Sequence, residues 1–159
     1  MKIRVGFGYD VHQLREGIDF WLGGIKIPHT HGAYGHSDAD VLIHVICDAL
    51  LGAANKRDIG YHFSDKDPKY KGIDSKILLK EVVALLKNDG YSIGNIDCTV
   101  CLQQPKVNPH IPEMKKVLAE VINLEEEDIS IKATTTENLG FVGRAEGVSA
   151  YAVALISKD

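Results

Sequence analysis

The run from Asp38 to Ala54 constrains this chain more than any other segment. Leu42, Ile46, Ala49, Leu50 and Ala53 recur at helical spacing, while Asp40, His44 and Asp48 return every fourth residue on the opposite side. The rest of that helix is apolar nearly all round, so it must be buried, and burying an imidazole and two carboxylates without partners is costly. Asp10-Val11-His12, at the end of an apolar N-terminal strand, offers such partners. In an extended segment residues i and i+2 share a face, so Asp10 and His12 can reach one point together. A carboxylate and two imidazoles suit a divalent metal such as Zn²⁺, which in catalytic sites commonly takes three protein ligands and leaves a fourth position open. Asp10, His12 and His44 are the expected ligands, with Asp40 or Asp48 expected to orient a ligand imidazole from behind.

At 159 residues the chain fits one domain, residues 1–159, large enough for an ordinary apolar core without disulfides. A formal net charge of −4 and the lack of a long Lys/Arg run argue against sequence-independent binding to nucleic acid, but leave room for a small phosphorylated substrate. No apolar run reaches the ~18 residues of a membrane span, and Met1-Lys2-Ile3-Arg4 leads into a strand, so the expectation is a soluble, cytoplasmic protein. Cys47, Cys98 and Cys101 read as buried apolar positions. Cys98 and Cys101 match C-x-x-C, but in a strand residues i and i+3 face opposite sides.

Ile3 to Gly8 reads as a first strand, Phe20 to Leu22 with Ile25 to Ile27 as a hairpin around Gly23-Gly24, and Pro28 to Gly35 as a loop ending at a helix cap on Ser37 or Asp38. Asn55 to Gly72 lacks periodicity and reads as a long functional loop. Asp74 to Asp89 is an amphipathic helix closed by Gly90, Ile96 to Leu102 a strand, Pro109 to Ile122 a helix with Pro112 in its first turn, and Ile129 to Ala133 and Gly147 to Ile156 two further strands. This order suits an α+β fold, a mixed β-sheet with helices covering one face. The other face must then be shielded, most simply by more copies of the chain.

Three more segments carry chemistry. Lys132-Ala133-Thr134-Thr135-Thr136-Glu137 follows a strand; its hydroxyls and N–H groups can hold phosphate oxygens and Glu137 a hard cation such as Mg²⁺, while the alternative is strand propensity with a cap at Thr136. Arg144 lies in the Gly-bounded turn Gly140 to Gly147, where a guanidinium either binds anionic oxygens or faces solvent. Pro105, in Gln103-Gln104-Pro105-Lys106, stops a ladder and leaves backbone groups free to meet a planar base. Gly6-Phe7-Gly8 lacks the third glycine and following helix of a dinucleotide fingerprint. His29-Thr30-His31 has metal-like spacing in a polar loop with no acidic partner nearby.

Taken in order, Gly8-Tyr9-Asp10-Val11-His12, His36-Ser37-Asp38-Ala39-Asp40, Asp48 to Ala53, Asp58-Ile59-Gly60, Phe63, Asp65, Pro105-Lys106, Thr134 to Glu137 and Gly140 to Arg144 resemble the 2-C-methyl-D-erythritol 2,4-cyclodiphosphate synthase family over essentially the whole chain. The resemblance implies a lyase of the non-mevalonate isoprenoid pathway that converts 4-diphosphocytidyl-2-C-methyl-D-erythritol 2-phosphate into the 2,4-cyclodiphosphate and releases CMP. It implies a homotrimer with sheets packed around the three-fold axis and active sites between subunits. Zn²⁺ is implied on Asp10, His12 and His44, and Mg²⁺ or Mn²⁺ on Glu137 at the diphosphate. His36 and Thr135 match phosphate-positioning residues; Ser37, Asp58, Ile59, Gly60, Phe63 and Asp65 match substrate-binding positions around the methylerythritol unit. Leu102 to Asn108, with Pro105 and Lys106, together with Thr134 and Thr136, match the cytidine and phosphate site supplied by the adjacent subunit. Phe141 and Arg144 match positions toward the axis, where a phosphorylated isoprenoid can bind. Arg57 stands where the family commonly has Gly, and Ser64 where Pro often follows the Phe. The residues alone equally suit a zinc phosphoesterase using bound water, or a non-catalytic trimeric nucleotide-binding module with structural zinc.

Overall fold

The computed structural model describes residues Met1–Asp159. Strand β1 (Lys2–Glu16) runs for 15 residues, well past Gly8, because β7 (Gly147–Lys158) pairs with it antiparallel from Lys2↔Lys158 to Gln13↔Gly147. Asp10 and His12 therefore lie inside a paired strand, where their shared direction is held rigidly. The hairpin of β2 (Phe20–Leu22) and β3 (Ile25–Ile27) stands as expected. Pro28 to Gly35, expected to be a loop, instead contains β4 (His31–Tyr34), paired with the end of β1. A Cβ on Gly32 would lie 2.3 Å from the Asp19 carbonyl oxygen, so only glycine lets this strand approach.

Helix α1 (Val41–Ala53) is capped by Asp40 rather than by Ser37 or Asp38. The Asp40 carboxylate accepts from Ile43 N–H at 3.0 Å, and also from Gly23 and Gly24 N–H of the hairpin turn at 2.9 and 2.7 Å. One fully buried side chain thus starts the helix and pins the hairpin to it. The segment Asn55 to Gly72 is less irregular than expected, holding α2 (Ile59–His62), capped by Asp58, and a single 3₁₀ turn at Pro68–Tyr70. Next come α3 (Ser75–Asn88), β5 (Ser92–Cys101), α4 (Ile111–Ile122), β6 (Ile129–Thr134) and the short α5 (Gly140–Gly143) before β7. The five-stranded sheet has the order β4-β1-β7-β5-β6, antiparallel except for the parallel pair β5 and β6. Architecture is thus α+β with a mixed sheet, as expected.

α1 lies directly on the sheet because the strand beneath it carries almost no side chain. A Cβ on Gly6 would sit 1.8 Å from the Ala49 carbonyl oxygen, and one on Gly8 2.1 Å from that of Val45. Ala150, Ala152 and Ala154 of β7 continue this buried small-residue floor. The opposite sheet face is uncovered and apolar: Ile3, Val5, Phe7, Tyr9 and Val11 of β1 and Tyr151 and Val153 of β7 are all exposed, Phe7 at 62 %. Cys98 is buried and its thiol pushed up to about 12 by desolvation, while Cys101, three residues on, is half-buried; all three cysteines are free. No helix is long and apolar enough to cross a membrane.

Candidate metal centre and its cleft

The close approach of α1 to β1 decides where His44 goes. With Val45 seated over Gly8, the preceding residue reaches the next two inward positions of the strand, Asp10 and His12. Asp10 Oδ2, His12 Nε2 and His44 Nδ1 lie 3.0 Å from one another on all three edges. A tetrahedral ion with bonds of about 2.0–2.2 Å holds its donors roughly 3.3–3.6 Å apart, so these three need to spread only slightly to accept one. One carboxylate oxygen and two imidazole nitrogens are a donor set that fits zinc. Burial opposes charge on Asp10, but hydrogen bonds and charge from His12 and His44 prevail and hold its carboxyl well below the usual range. Burial likewise opposes protonation of His44, and Asp10 more than offsets it, so the ring's affinity for a proton is raised.

The expected support from Asp40 or Asp48 is not what stands behind His44. Asp40 is occupied by the three N–H groups of the cap and hairpin, and Asp48 accepts from Ile59 N–H at 2.8 Å. Burial pushes both carboxyls up, with Asp38 adding to the effect at Asp40. His44 Nε2 instead meets Ser75 Oγ at 3.0 Å and Ser37 Oγ at 3.1 Å. Ser75 went unnoticed because it looks like an ordinary first residue of an amphipathic helix; nothing local shows that α3 begins beside His44.

The triad lines a cleft of about 350 Å³ whose walls include His36, Ser37, Ile59, Gly60, Phe63 and Asp65. Tyr70, Ile73 and Leu78 complete the wall and were missed, since they share no periodicity with the rest. Tyr70 packs edge-on against Phe63, with ring centroids 5.5 Å apart. His36 Nε2 is 3.0 Å from the Asp67 carbonyl oxygen and ties this segment down. Asp58 is engaged as the cap of α2 and does not itself line the cleft. Arg57 adopts a left-handed backbone (φ 68°), the conformation a glycine adopts freely, and its guanidinium stacks 4.3 Å from the Tyr61 ring centroid.

A YgbB family model matches residues 3–157. The chain belongs to the YgbB family. This YgbB-family chain is 70% identical over 158 residues to the 2-C-methyl-D-erythritol 2,4-cyclodiphosphate synthase of Parabacteroides distasonis, covering 99% of this chain and 98% of that protein. It is 64% identical over 159 residues to the synthase of the same name from Bacteroides thetaiotaomicron, covering 100% of each. Among solved structures it resembles the bifunctional IspDF from Campylobacter jejuni, with a TM-score of 0.96 and 39% identity over 99% of this chain and 43% of that longer one. It also resembles the CDP complex of IspF from Plasmodium falciparum, with a TM-score of 0.87 and 35% identity over 99% of this chain and 97% of the other. Its function is that of a 2-C-methyl-D-erythritol 2,4-cyclodiphosphate synthase, a lyase of isoprenoid synthesis.

The remaining expected site residues of the YgbB-family chain gather elsewhere. Leu102, Pro105, Lys106, Thr134 and Thr135 line a second pocket of about 230 Å³ that shares no residue with the cleft. Thr136 donates its hydroxyl to the Leu139 carbonyl at 2.7 Å, and Glu137 is exposed with a left-handed backbone (φ 53°). Arg144 is exposed and pairs with Glu146 at 2.8 Å; Phe141 packs beside Gly147. Within one chain none of these four lines the cleft or the second pocket.

Proposed function

We propose that the chain performs an intramolecular phosphoryl transfer. The 2-phosphate of 4-diphosphocytidyl-2-C-methyl-D-erythritol 2-phosphate attacks the β-phosphorus of the same molecule's diphosphate, forming the 2,4-cyclodiphosphate and expelling CMP. The observation that carries this reading is the convergence of Asp10, His12 and His44 at a cleft of substrate size. Zn²⁺ on those three residues, with Mg²⁺ or Mn²⁺ on Glu137, would draw charge from the reacting phosphate oxygens.

The chain's own residues supply the rest. No side chain has to act as nucleophile, because the substrate carries both reacting groups, and holding them in line can lower the barrier by roughly 7–11 kcal/mol. Ile59, Phe63, Ile73 and Leu78 form the apolar wall that excludes water around the methylerythritol unit, with Asp58, Gly60 and Asp65 at its hydroxyls and Ser37 beside the phosphates. His36 and Thr135 position phosphate groups. Leu102, Pro105, Lys106, Thr134 and Thr136 belong to the cytidine site.

Separation of the cleft from the second pocket, and the bare apolar sheet face, are both satisfied by a homotrimer. Its sheets pack around the three-fold axis, each active site takes its cytidine pocket from a neighbouring subunit, and Phe141 and Arg144 face the axis, where a phosphorylated isoprenoid binds. Residues 1–159 act as one catalytic unit in the cytoplasm.

The test is CMP release from the diphosphocytidyl substrate with and without chelator, run in ¹⁸O-labelled water. We expect a cyclic product free of label and loss of turnover on chelation. Label in the released phosphate would make the chain a hydrolase instead, and turnover indifferent to chelation would remove the metal from the reaction.

A further inference from the structure

Behind His44 runs a chain of hydrogen bonds whose direction chemistry dictates. Asp38 Oδ1 faces Asp40 N–H at 3.1 Å and Ser75 Oγ at 2.5 Å, and its Oδ2 faces Ser75 N–H at 2.9 Å. Two of these partners are backbone N–H groups, which only donate, so the Asp38 carboxylate is the acceptor throughout. Ser75 has a single hydroxyl proton, and it goes to Asp38. Its oxygen is left to accept from His44 Nε2, 3.0 Å away. Ser37 Oγ, which takes Ala39 N–H at 3.2 Å, lies 3.1 Å from the same nitrogen and adds a second acceptor. Asp10 Oδ2, also an acceptor, faces Nδ1 at 3.0 Å, so without metal the ring can hold its proton on either side; once a cation takes the Nδ1 lone pair, the remaining proton resides on Nε2, where two hydroxyl oxygens accept it.

We propose that Asp38 and Ser75 are positioning residues that lock His44 in its Nε2–H form and so present Nδ1 to the cation. This deepens the metal-centre reading and rests on it. The bonds also join the start of α3 to α1, but the Asp38 bond to Ser75 N–H suffices as a tether. The hydroxyl is superfluous for that role. It is required only for the lock, and it sits fully buried where no solvent competes for its proton.

Ser75→Ala separates the two roles, since it removes the hydroxyl and keeps the backbone N–H that ties α3 to Asp38. Two readouts on the full chain follow this: imidazole ¹⁵N shifts of His44 without metal at alkaline pH, and zinc affinity by competition with a chromophoric chelator. We expect a larger Nε2–H fraction in the parent chain than in Ser75→Ala, and Ser75→Thr should restore the parent fraction. Zinc affinity should fall about 10- to 100-fold in Ser75→Ala and recover in Ser75→Thr. If Ser75→Thr does not fold, Ser75→Ala against the parent chain carries both readouts with the tether intact. Folded variants with unchanged tautomer and unchanged zinc affinity overturn the lock. A parent chain that takes up no zinc refutes the metal-centre reading instead, and the ¹⁵N shifts then decide the lock by themselves.

Discussion

The two faces of β1 are built from the same fifteen residues and could hardly differ more. Toward α1 the strand presents Gly6, Gly8, Asp10 and His12, two absences of side chain followed by two ligating groups. Toward the other side it presents Val5, Phe7, Tyr9 and Val11, all apolar and all exposed. The period of two places chemistry on one face and an unmet demand for burial on the other. A strand of this kind couples the site to assembly: whatever covers the outer face also fixes the strand that aims Asp10 and His12.

The sharpest way to break the inner face is His44→Ala. It removes one of three donors while leaving the small-residue floor intact, so turnover should fall by at least about a thousandfold, ~4 kcal/mol of barrier, with assembly unchanged by light scattering. A variant retaining a tenth of parental turnover would show that the triad is not catalytic. Gly8→Ala attacks the same face through packing. Its Cβ would meet the Val45 carbonyl oxygen at 2.1 Å, so α1 must lift. We expect a loss of about 3 kcal/mol in urea unfolding, accompanied by weaker zinc binding as His44 withdraws from Asp10. An unchanged urea midpoint would mean that the helix has slack the structure does not show.

On the outer face, Phe7→Asp should leave the triad alone and split the proposed trimer. Burying one such ring contributes about 1.5–3 kcal/mol, and placing a carboxylate there reverses the sign. Light scattering should report smaller particles, zinc affinity should stay at the parental value, and turnover should be lost because the proposed trimer draws its cytidine pocket from a different subunit. Monomers with full turnover would put both pockets of one chain to work together and end the shared-site reading.

These two faces also show what a sequence can reveal. Periods are local, so the helical stripe with His44, the i, i+2 pair Asp10 and His12, and α3 with its Gly90 stop were all legible. Whatever depends on a distant partner was not. β4 has no β-branched residue to announce it and exists because the end of β1 needs a neighbour. Asp40 or Asp48 is expected behind an imidazole because their stripe points there, whereas the hairpin turn claims both oxygens of Asp40 and Ile59 N–H takes up Asp48. Ser75, the residue actually against His44, is separated from it by 31 positions. Glu137, Phe141 and Arg144 were legible only through family resemblance, and a single chain gives them no contact with the cleft.

The smallest expected effect is on pH, in the chain freed of metal. Asp10 has its carboxyl held below the ordinary value, so its contribution to stability is present above about pH 4 and is lost as pH falls through the lowered value. His44 has its proton affinity raised, so its contribution is fully present below about pH 6.5 and is lost as pH rises through the raised value. Together they favour the folded state most between those limits. Asp40 and Asp48 also tilt the curve, since carboxyls pushed up by burial lose stability as pH rises through their folded values. Subtracting the curve of His44→Ala cancels most of that tilt and leaves the pair formed by Asp10 and His44. The difference should be flat between pH 4 and 6.5 and decline on either side. With zinc bound, the ion replaces the proton between the two residues and the alkaline decline should vanish. A difference curve that climbs above pH 6.5 without metal would mean that Asp10 does not hold a proton on His44, and that the inner face of β1 is less tightly drawn together than its 3.0 Å contacts imply.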